Sequence, residues 1–355
     1  MTIRHTRKGV TVPTPRRTVA LRLVALLTIL GLLTACVSRE EGTRAAAAPA
    51  TVPLSDLSGL VLQVGDQKGG TEALLRSAGQ LEGLPYRIEF STFTSGPPQI
   101  EAATAGRIDF AITGNTPPIF GAASNAKVKV VSTYDGGGAG DQILVRTDAP
   151  IRSVGDLRGK TVALAKGSSA HGHVLAQLDR AGLTPSDVSL VFLQPADALT
   201  AFTQGRVDAW ATWDPYTAQA ERQLPVRSIA TADGVTNGAG FGIASDVALA
   251  DPLRHTALSD LLVRYAKAVR WARDNPDEWA TRYSAEVGLA PDVAALAQGR
   301  SLRLPADLSD DLVASEQEMT DLFAESGQIA SAPVFADWVD ERYGDVLAPF
   351  YLDRA

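Results

Sequence analysis

Gly106-Arg107-Ile108-Asp109-Phe110-Ala111-Ile112-Thr113 recurs 99 positions later as Gly205-Arg206-Val207-Asp208-Ala209-Trp210-Ala211-Thr212. Both copies run into a turn and a proline, Gly114-Asn115-Thr116-Pro117 in the first and Trp213-Asp214-Pro215 in the second. Upstream, Val64-Gly65-Asp66-Gln67-Lys68-Gly69-Gly70-Thr71 matches Val162-Ala163-Leu164-Ala165-Lys166-Gly167-Ser168-Ser169 at nearly the same offset. Each unit therefore reads as a strand entering a Lys-Gly turn, a helix, and a strand entering a proline-started helix. Two such units facing each other enclose a cleft walled by strand ends and helix N-termini, where open α/β sheets bind ligands. The pattern predicts a two-lobed small-molecule receptor before it predicts a catalyst.

Outward from the repeat, apolar runs and alternation place strands at 60–64, 86–90, 108–112, 128–133, 142–145, 161–164, 188–193 and 207–211. Phe241-Gly242-Ile243-Ala244-Ser245 reads as a strand returning to the first lobe. From Pro252 to about Phe323 the spacing is helical, and Phe335, Trp338, Val339 and Tyr343 continue it in the tail. Strands alternating with helices predict an α/β fold with parallel sheets. A length of 355 residues suits two domains.

The first 35 residues carry Arg4, Arg7, Lys8, Arg16, Arg17 and Arg22 and no acid, and Leu23 to Ala35 is uncharged and apolar. A basic segment followed by a short apolar one is a secretory signal, too short for a comfortable membrane span. Arg16-Arg17 serves either a Sec or a Tat signal. Cys36 is the chain's single cysteine, so no internal disulfide can form. Removing residues 1–35 takes the formal charge from −7 to −13, which argues against a nucleic-acid partner.

Four helix N-termini converge in this reading, near Gly69, Thr116, Ser168 and Pro215. Their unpaired N–H groups and the helix dipole suit an anion. Glycines 69, 70 and 167 allow close backbone approach. Ser168 and Ser169 serve as ligand donors or as N-caps; Gln67 donates into the cleft or is a solvated turn residue. Lys68 is an anion ligand or a solvated lysine, and His171 is a ligand contact or a packed imidazole. Trp213, beside Asp214, lines a pocket or a core, and Phe241 covers an organic tail or packs at a hinge. No catalytic residue, metal cluster or cofactor motif emerges: His171 and His173 are two apart, and His255 lies on a remote helix.

Several segments carry a family resemblance: Gln67-Lys68-Gly69-Gly70, Thr113-Gly114-Asn115-Thr116-Pro117-Pro118-Ile119-Phe120, Lys166-Gly167-Ser168-Ser169-Ala170-His171, Pro195-Ala196-Asp197-Ala198 and Trp213-Asp214-Pro215-Tyr216. Over roughly residues 58–330 the chain resembles the solute-binding proteins of ABC importers, in the aliphatic sulfonate, taurine and nitrate group, nearest its alkanesulfonate binders. The resemblance implies a two-lobed periplasmic-binding-protein fold of type II, with two parallel-core sheets joined by two hinge strands. Lobe I would comprise 58–145 and 242–330, lobe II 146–241 and a helical tail 331–355, with hinge strands near Leu144-Val145-Arg146 and Gly242-Ile243-Ala244. It implies capture of a small anionic organic sulfonate for delivery to ABC permease subunits in sulfur acquisition, by a monomer that is not an enzyme. Receptors for nitrate, bicarbonate or a pyrimidine thiamine precursor, and enzymes of the same fold, remain the alternatives. Within that group the turn after the third strand commonly carries Asp where this chain has Asn115. Leu33-Thr34-Ala35-Cys36 resembles the lipobox of bacterial lipoproteins, which implies a lipidated Cys36, a tether over 36–57, and anchorage to the outer face of the cytoplasmic membrane.

Overall fold

The fold was read from a computed structural model that describes residues 48–351. The expected signal at 1–35 and Cys36 with its lipidation lie outside the described residues. The six strands β1 (Val61–Gln67), β2 (Arg87–Phe93), β3 (Phe110–Gly114), β4 (Val128–Asp135), β10 (Gly240–Ser245) and β11 (Leu304–Ala306) form one sheet, ordered β11-β4-β10-β3-β1-β2. The strands β5 (Gln142–Arg146), β6 (Thr161–Leu164), β7 (Ser189–Phe192), β8 (Ala209–Thr212) and β9 (Val226–Thr231) form the second, ordered β7-β6-β8-β5-β9. The two orders are equivalent: β2-β1-β3-β10-β4 in one sheet superposes in sequence of roles on β7-β6-β8-β5-β9 in the other.

Each sheet has a parallel core, β2-β1-β3 and β7-β6-β8, flanked by antiparallel strands. The expected parallel cores form, and β10 and β5, which cross over from the other half of the chain, add to them antiparallel. A strand that enters its sheet from across the cleft, without a helical crossover, joins antiparallel. The edge strand β9 was missed because its six residues are all half-buried and show no clear alternation.

The repeated Gly-Arg-x-Asp segments do the same work in both lobes. Gly106 and Gly205 turn the chain at φ 67° and 70°. Asp109 then accepts from the Gln63 amide at 2.9 Å while its own amide donates to the Gln63 carbonyl at 2.7 Å. Asp208 holds Thr161 identically, at 2.9 Å both ways. This two-point clamp sets the register of β3 on β1 and of β8 on β6.

The chain passes between the sheets at 136–141 and 232–239. The strands expected around Leu144 and Gly242 form as β5 and β10, each entered directly from a crossing and paired along its length. The two crossings touch: a Cβ on Gly238 would stand 2.5 Å from the Gly138 nitrogen. Both residues have positive φ, 62° and 85°, so glycine is required there on both counts.

The helices are α1 (Thr71–Ser77), α2 (Gly96–Thr104), α3 (Thr116–Ala123), α4 (Ser169–Arg180), α5 (Pro195–Thr203), α6 (Tyr216–Gln223), α7 (Asp246–Ala250), α8 (Pro252–Asp274), α9 (Pro276–Val287), α10 (Pro291–Ser301), α11 (Asp310–Glu325) and α12 (Gly344–Leu347). Prolines 276 and 291 start α9 and α10 and so divide the long helical stretch. Among the described residues no helix is long and apolar enough to cross a membrane. Leu258, Leu261, Leu262 and Val269 of α8 are fully buried against the first lobe. The tail forms two 3-10 turns around the short α12 rather than a helix. Its aromatics Phe335 and Tyr343 are nonetheless buried, so the tail straps the first lobe. At the other end, Leu57 is buried and the Val52 amide donates to Thr256 at 3.0 Å, so the last residues of the expected tether belong to the fold.

Candidate ligand-binding cleft

A cavity of about 150 Å3 lies at the carboxyl ends of β1, β3 and β8, between the two sheets. Asp66 to Thr71, Thr94, Ile112 and Thr113 come from the first lobe, Trp213 to Tyr216 from the second. Helices α8 to α10 contribute Tyr265, Trp279, Tyr283, Gln298 and Ser301, and Leu302-Arg303 completes the wall. Of the residues proposed from sequence, Gln67, Lys68, Gly69, Trp213 and Asp214 meet here.

Their roles differ from those expected of them. The N-terminus of α1 is not open to an incoming anion: Asp66 Oδ1 already accepts from the Thr71 amide at 2.6 Å. Burial pushes the Asp66 carboxyl up to about 7, against the pull of the Thr71 and Glu72 amides. Gly69, at φ 78°, makes room for Tyr283, since a Cβ there would lie 2.5 Å from the ring. Gln67 donates to Gln99 Oε1 at 3.1 Å, which leaves the buried Gln99 Nε2 without a partner, as is the buried Thr113 hydroxyl. Both are donors, and Thr113 lines the cavity. Asp214 is held by Arg300 at 2.7 and 3.0 Å and by the Ser301 hydroxyl at 2.6 Å. With its side chain 2 % exposed, this carboxylate joins the strand-end turn of the second lobe to α10 and is not free for a ligand.

The second proposed group converges elsewhere. The turn Gly114-Asn115-Thr116 packs directly on the start of α4: a Cβ on Gly114 would lie 3.1 Å from Ser169 Cβ, and one on Gly172 2.4 Å from the Thr116 hydroxyl. Asn115 donates to Asn237 at 3.0 Å and accepts from Thr116 at 3.1 Å. Ser168 occupies the N-cap position yet gives its hydroxyl to the Ala165 carbonyl at 2.7 Å, and Ser169 donates to Asp141 at 2.7 Å. His171 is fully buried, its Nδ1 accepting from the Gly167 amide at 3.2 Å. Its ring packs among Phe120, Phe192 and Phe323, 5.8, 5.4 and 5.1 Å away. Burial pushes it down to about 3, so it is neutral at physiological pH. Phe241 shares a face of β10 with Ile243 and lies in the core beside Phe335, 6.0 Å away, rather than over the cavity.

Sequence reasoning missed Arg303. Its side chain runs over two glycines: a Cβ on Gly136 would stand 2.8 Å from its Nε, and one on Gly240 2.7 Å from its Cδ. No hydrogen bond or ion pair engages this guanidinium among the described residues. It is the one cavity-lining arginine, and nothing local in Ser301-Leu302-Arg303 signals it. The aromatic wall of Trp279 and Tyr283, 5.2 Å apart edge to face, was missed for the same reason.

A family model described as "ABC transporter, phosphonate, periplasmic substrate-binding protein" matches residues 81–276. The putative aliphatic sulfonates-binding protein of Escherichia coli (strain K12) is 33 % identical over 272 residues, 75 % of this chain and 84 % of that protein. The chain belongs to the periplasmic substrate-binding proteins of ABC transporters. Membership places this substrate-binding protein outside the cytoplasm. The crystal structure of the periplasmic aliphatic sulphonate binding protein SsuA from Escherichia coli matches it with a TM-score of 0.70 at 30 % identity, covering 79 % of this chain and 92 % of that one. The alkanesulfonate-binding protein SsuA from Xanthomonas axonopodis pv. citri, bound to MOPS, matches with a TM-score of 0.73 at 28 % identity, covering 82 % and 100 %. The substrate-binding protein shares their two-lobed α/β fold.

Proposed function

We propose that this substrate-binding protein captures an organic sulfonate between its lobes and delivers it to the permease of an ABC importer for sulfur acquisition. The observation that carries the reading is Arg303, a cavity-lining guanidinium that makes no hydrogen bond or close ion pair among the described residues and has only the more distant charge of Asp141 to balance it. The unpartnered Thr113 hydroxyl of the same cavity adds a neutral donor. A sulfonate is a monoanion with three acceptor oxygens, and a planar donor fork suits it. A phosphonate dianion is disfavoured, because Arg303 supplies one positive charge and Asp66, where ionised, repels a second negative one in the same cavity. Gln67 and Trp213 belong to the same proposed site, while Ser168, Ser169, His171 and Phe241 act through packing.

The finer expectations fit this reading: export on the 1–35 signal, lipidation of Cys36, and action as a monomer that binds without turnover. The mature sequence offers no thiol nucleophile once Cys36 is acylated. Calorimetry with butane-1-sulfonate, butane-1-phosphonate, sulfate and nitrate tests the function. Sulfonate should bind tightest, and Arg303→Ala should weaken it by about tenfold to a hundredfold, the loss of a charged hydrogen bond. Tighter binding of phosphonate, or an unchanged affinity in Arg303→Ala, overturns the assignment.

A further inference from the structure

We propose that the preferred ligand is a zwitterion, a sulfonate whose organic tail carries an alkylated ammonium held by Asp66 and the aromatic wall. The proposal rests on the sulfonate reading above. A plain hydrocarbon tail calls for apolar walls and no uncompensated charge, because a buried unpaired ion is costly. This cavity does not meet that description. Asp66 lines it, is 6 % exposed and makes no ion pair among the described residues. Of the other two acids near the cleft, Asp214 is held by Arg300, and Asp141 lies under the influence of Arg303 with a hydrogen bond from Ser169. Lys68, two residues from Asp66, is exposed and makes no ion pair with it. Asp66 alone is a carboxylate facing the cavity with only amide donors against it.

The surroundings specify what kind of cation would complete it. Tyr283 stands edge to face with Trp279 at 5.2 Å, and Trp213 with Tyr216 at 6.0 Å, and all four rings line the cavity. Asp66 acts electrostatically on both Tyr265 and Tyr283, whose hydroxyls burial and this neighbour hold well above the usual range. Ring faces attract cations, and most readily those that shed water easily. Trp279 has already given its indole N–H to Gln298 at 2.8 Å. Such walls favour an ammonium whose hydrogens are replaced by alkyl groups over a primary amine that must keep three donors satisfied. Burial holds Asp66 up to about 7, a shift that a bound cation would reverse in favour of the carboxylate.

Two isosteres differing by one charge test this with the full chain by calorimetry: 3-(trimethylammonio)propane-1-sulfonate and 4,4-dimethylpentane-1-sulfonate. The zwitterion should bind at least about tenfold more tightly. Asp66→Asn keeps an oxygen to accept from Thr71 and should erase that preference by weakening the zwitterion, while affinity for the alkyl isostere does not fall. Equal binding of the two by the native protein, or tighter binding of the alkyl sulfonate, overturns the zwitterion and leaves the sulfonate reading standing. An Asp66→Asn protein with native melting temperature and an undiminished preference overturns the role of Asp66. Binding of neither compound, nor of butane-1-sulfonate, overturns both readings together.

Discussion

The Ser169 hydroxyl donates to Asp141 at 2.7 Å, across the point where the first crossing meets the start of α4. A carboxylate of the chain thus occupies the anion position at a helix N-terminus that sequence reading reserved for the ligand. Burial pushes Asp141 up to about 6, with Arg303 and Ser169 pulling it back and Asp214 adding to the rise.

A ligand anion at Arg303 therefore competes with Asp141. Asp141→Asn keeps an acceptor for Ser169 and removes the charge. Relief of repulsion over several ångströms at an effective dielectric near 20 amounts to about 1–2 kcal/mol, so sulfonate affinity at pH 8 should rise roughly tenfold. At pH 5 the native carboxyl is itself protonated, and the advantage of the variant should largely vanish. Calorimetry at the two pH values checks this, and an advantage independent of pH would place the effect elsewhere.

The repeated clamp supplies a stability test with an internal control. Asp208→Ala leaves the Thr161 amide without its side-chain acceptor and should cost about 1–2 kcal/mol. Asp109→Ala removes the equivalent bond to Gln63 and also the 3.1 Å pair with Arg254. Its cost should be larger, about 2–3 kcal/mol. Urea denaturation compares the two, and a larger loss for Asp208→Ala would contradict the added role of Arg254.

The repeat was legible because its chemistry is local. A glycine at positive φ, an aspartate three residues on and a short strand fall within one segment of each copy, and the clamp needs only a neighbouring strand end. Gln67, Gly69, Trp213 and Asp214 were legible as cavity residues because strand-end turns of facing units must border the cleft. What each does there was not, since Tyr283 and Arg300 intervene from outside the motif and the Asp66 side chain turns back onto the Thr71 amide. Arg303 reaches the cleft by lying over Gly136 and Gly240, distant in sequence, a relation that no local pattern carries. His171 and Phe241 were open between ligand and packing because a helix start or a strand does not reveal that Phe323 and Phe335 will cover it. The tail shows helical spacing of its aromatics, yet Pro333, Gly344 and Pro349 confine it to single turns.

The buried titratable groups set an unusual dependence of stability on pH. Burial pushes Glu316 up to about 8, opposed by the hydrogen bond from Asn237 at 2.7 Å, and pushes Asp66 up to about 7. Native protein keeps these protons where the unfolded chain, with ordinary carboxyls near 4, has lost them. Their contribution is therefore full at low pH and is lost as pH rises through 7 to 8. Burial pushes His171 and His173 down to about 3 and about 4. The unfolded histidines gain protons below about 6.5 that the native ones refuse, so their contribution is lost as pH falls below that value. The opposed slopes offset one another between pH 5 and 6.5. Above 6.5 the carboxyls act alone, and stability should fall toward pH 8 at up to about 1.4 kcal/mol per pH unit for each proton involved. Glu316→Gln retains an oxygen for Asn237 and should remove that residue's share of the slope. Urea midpoints at pH 6.5 and 8 measure both effects; native stability that rises over this interval, or a variant with the native slope, would show that Glu316 is ionised in the folded protein.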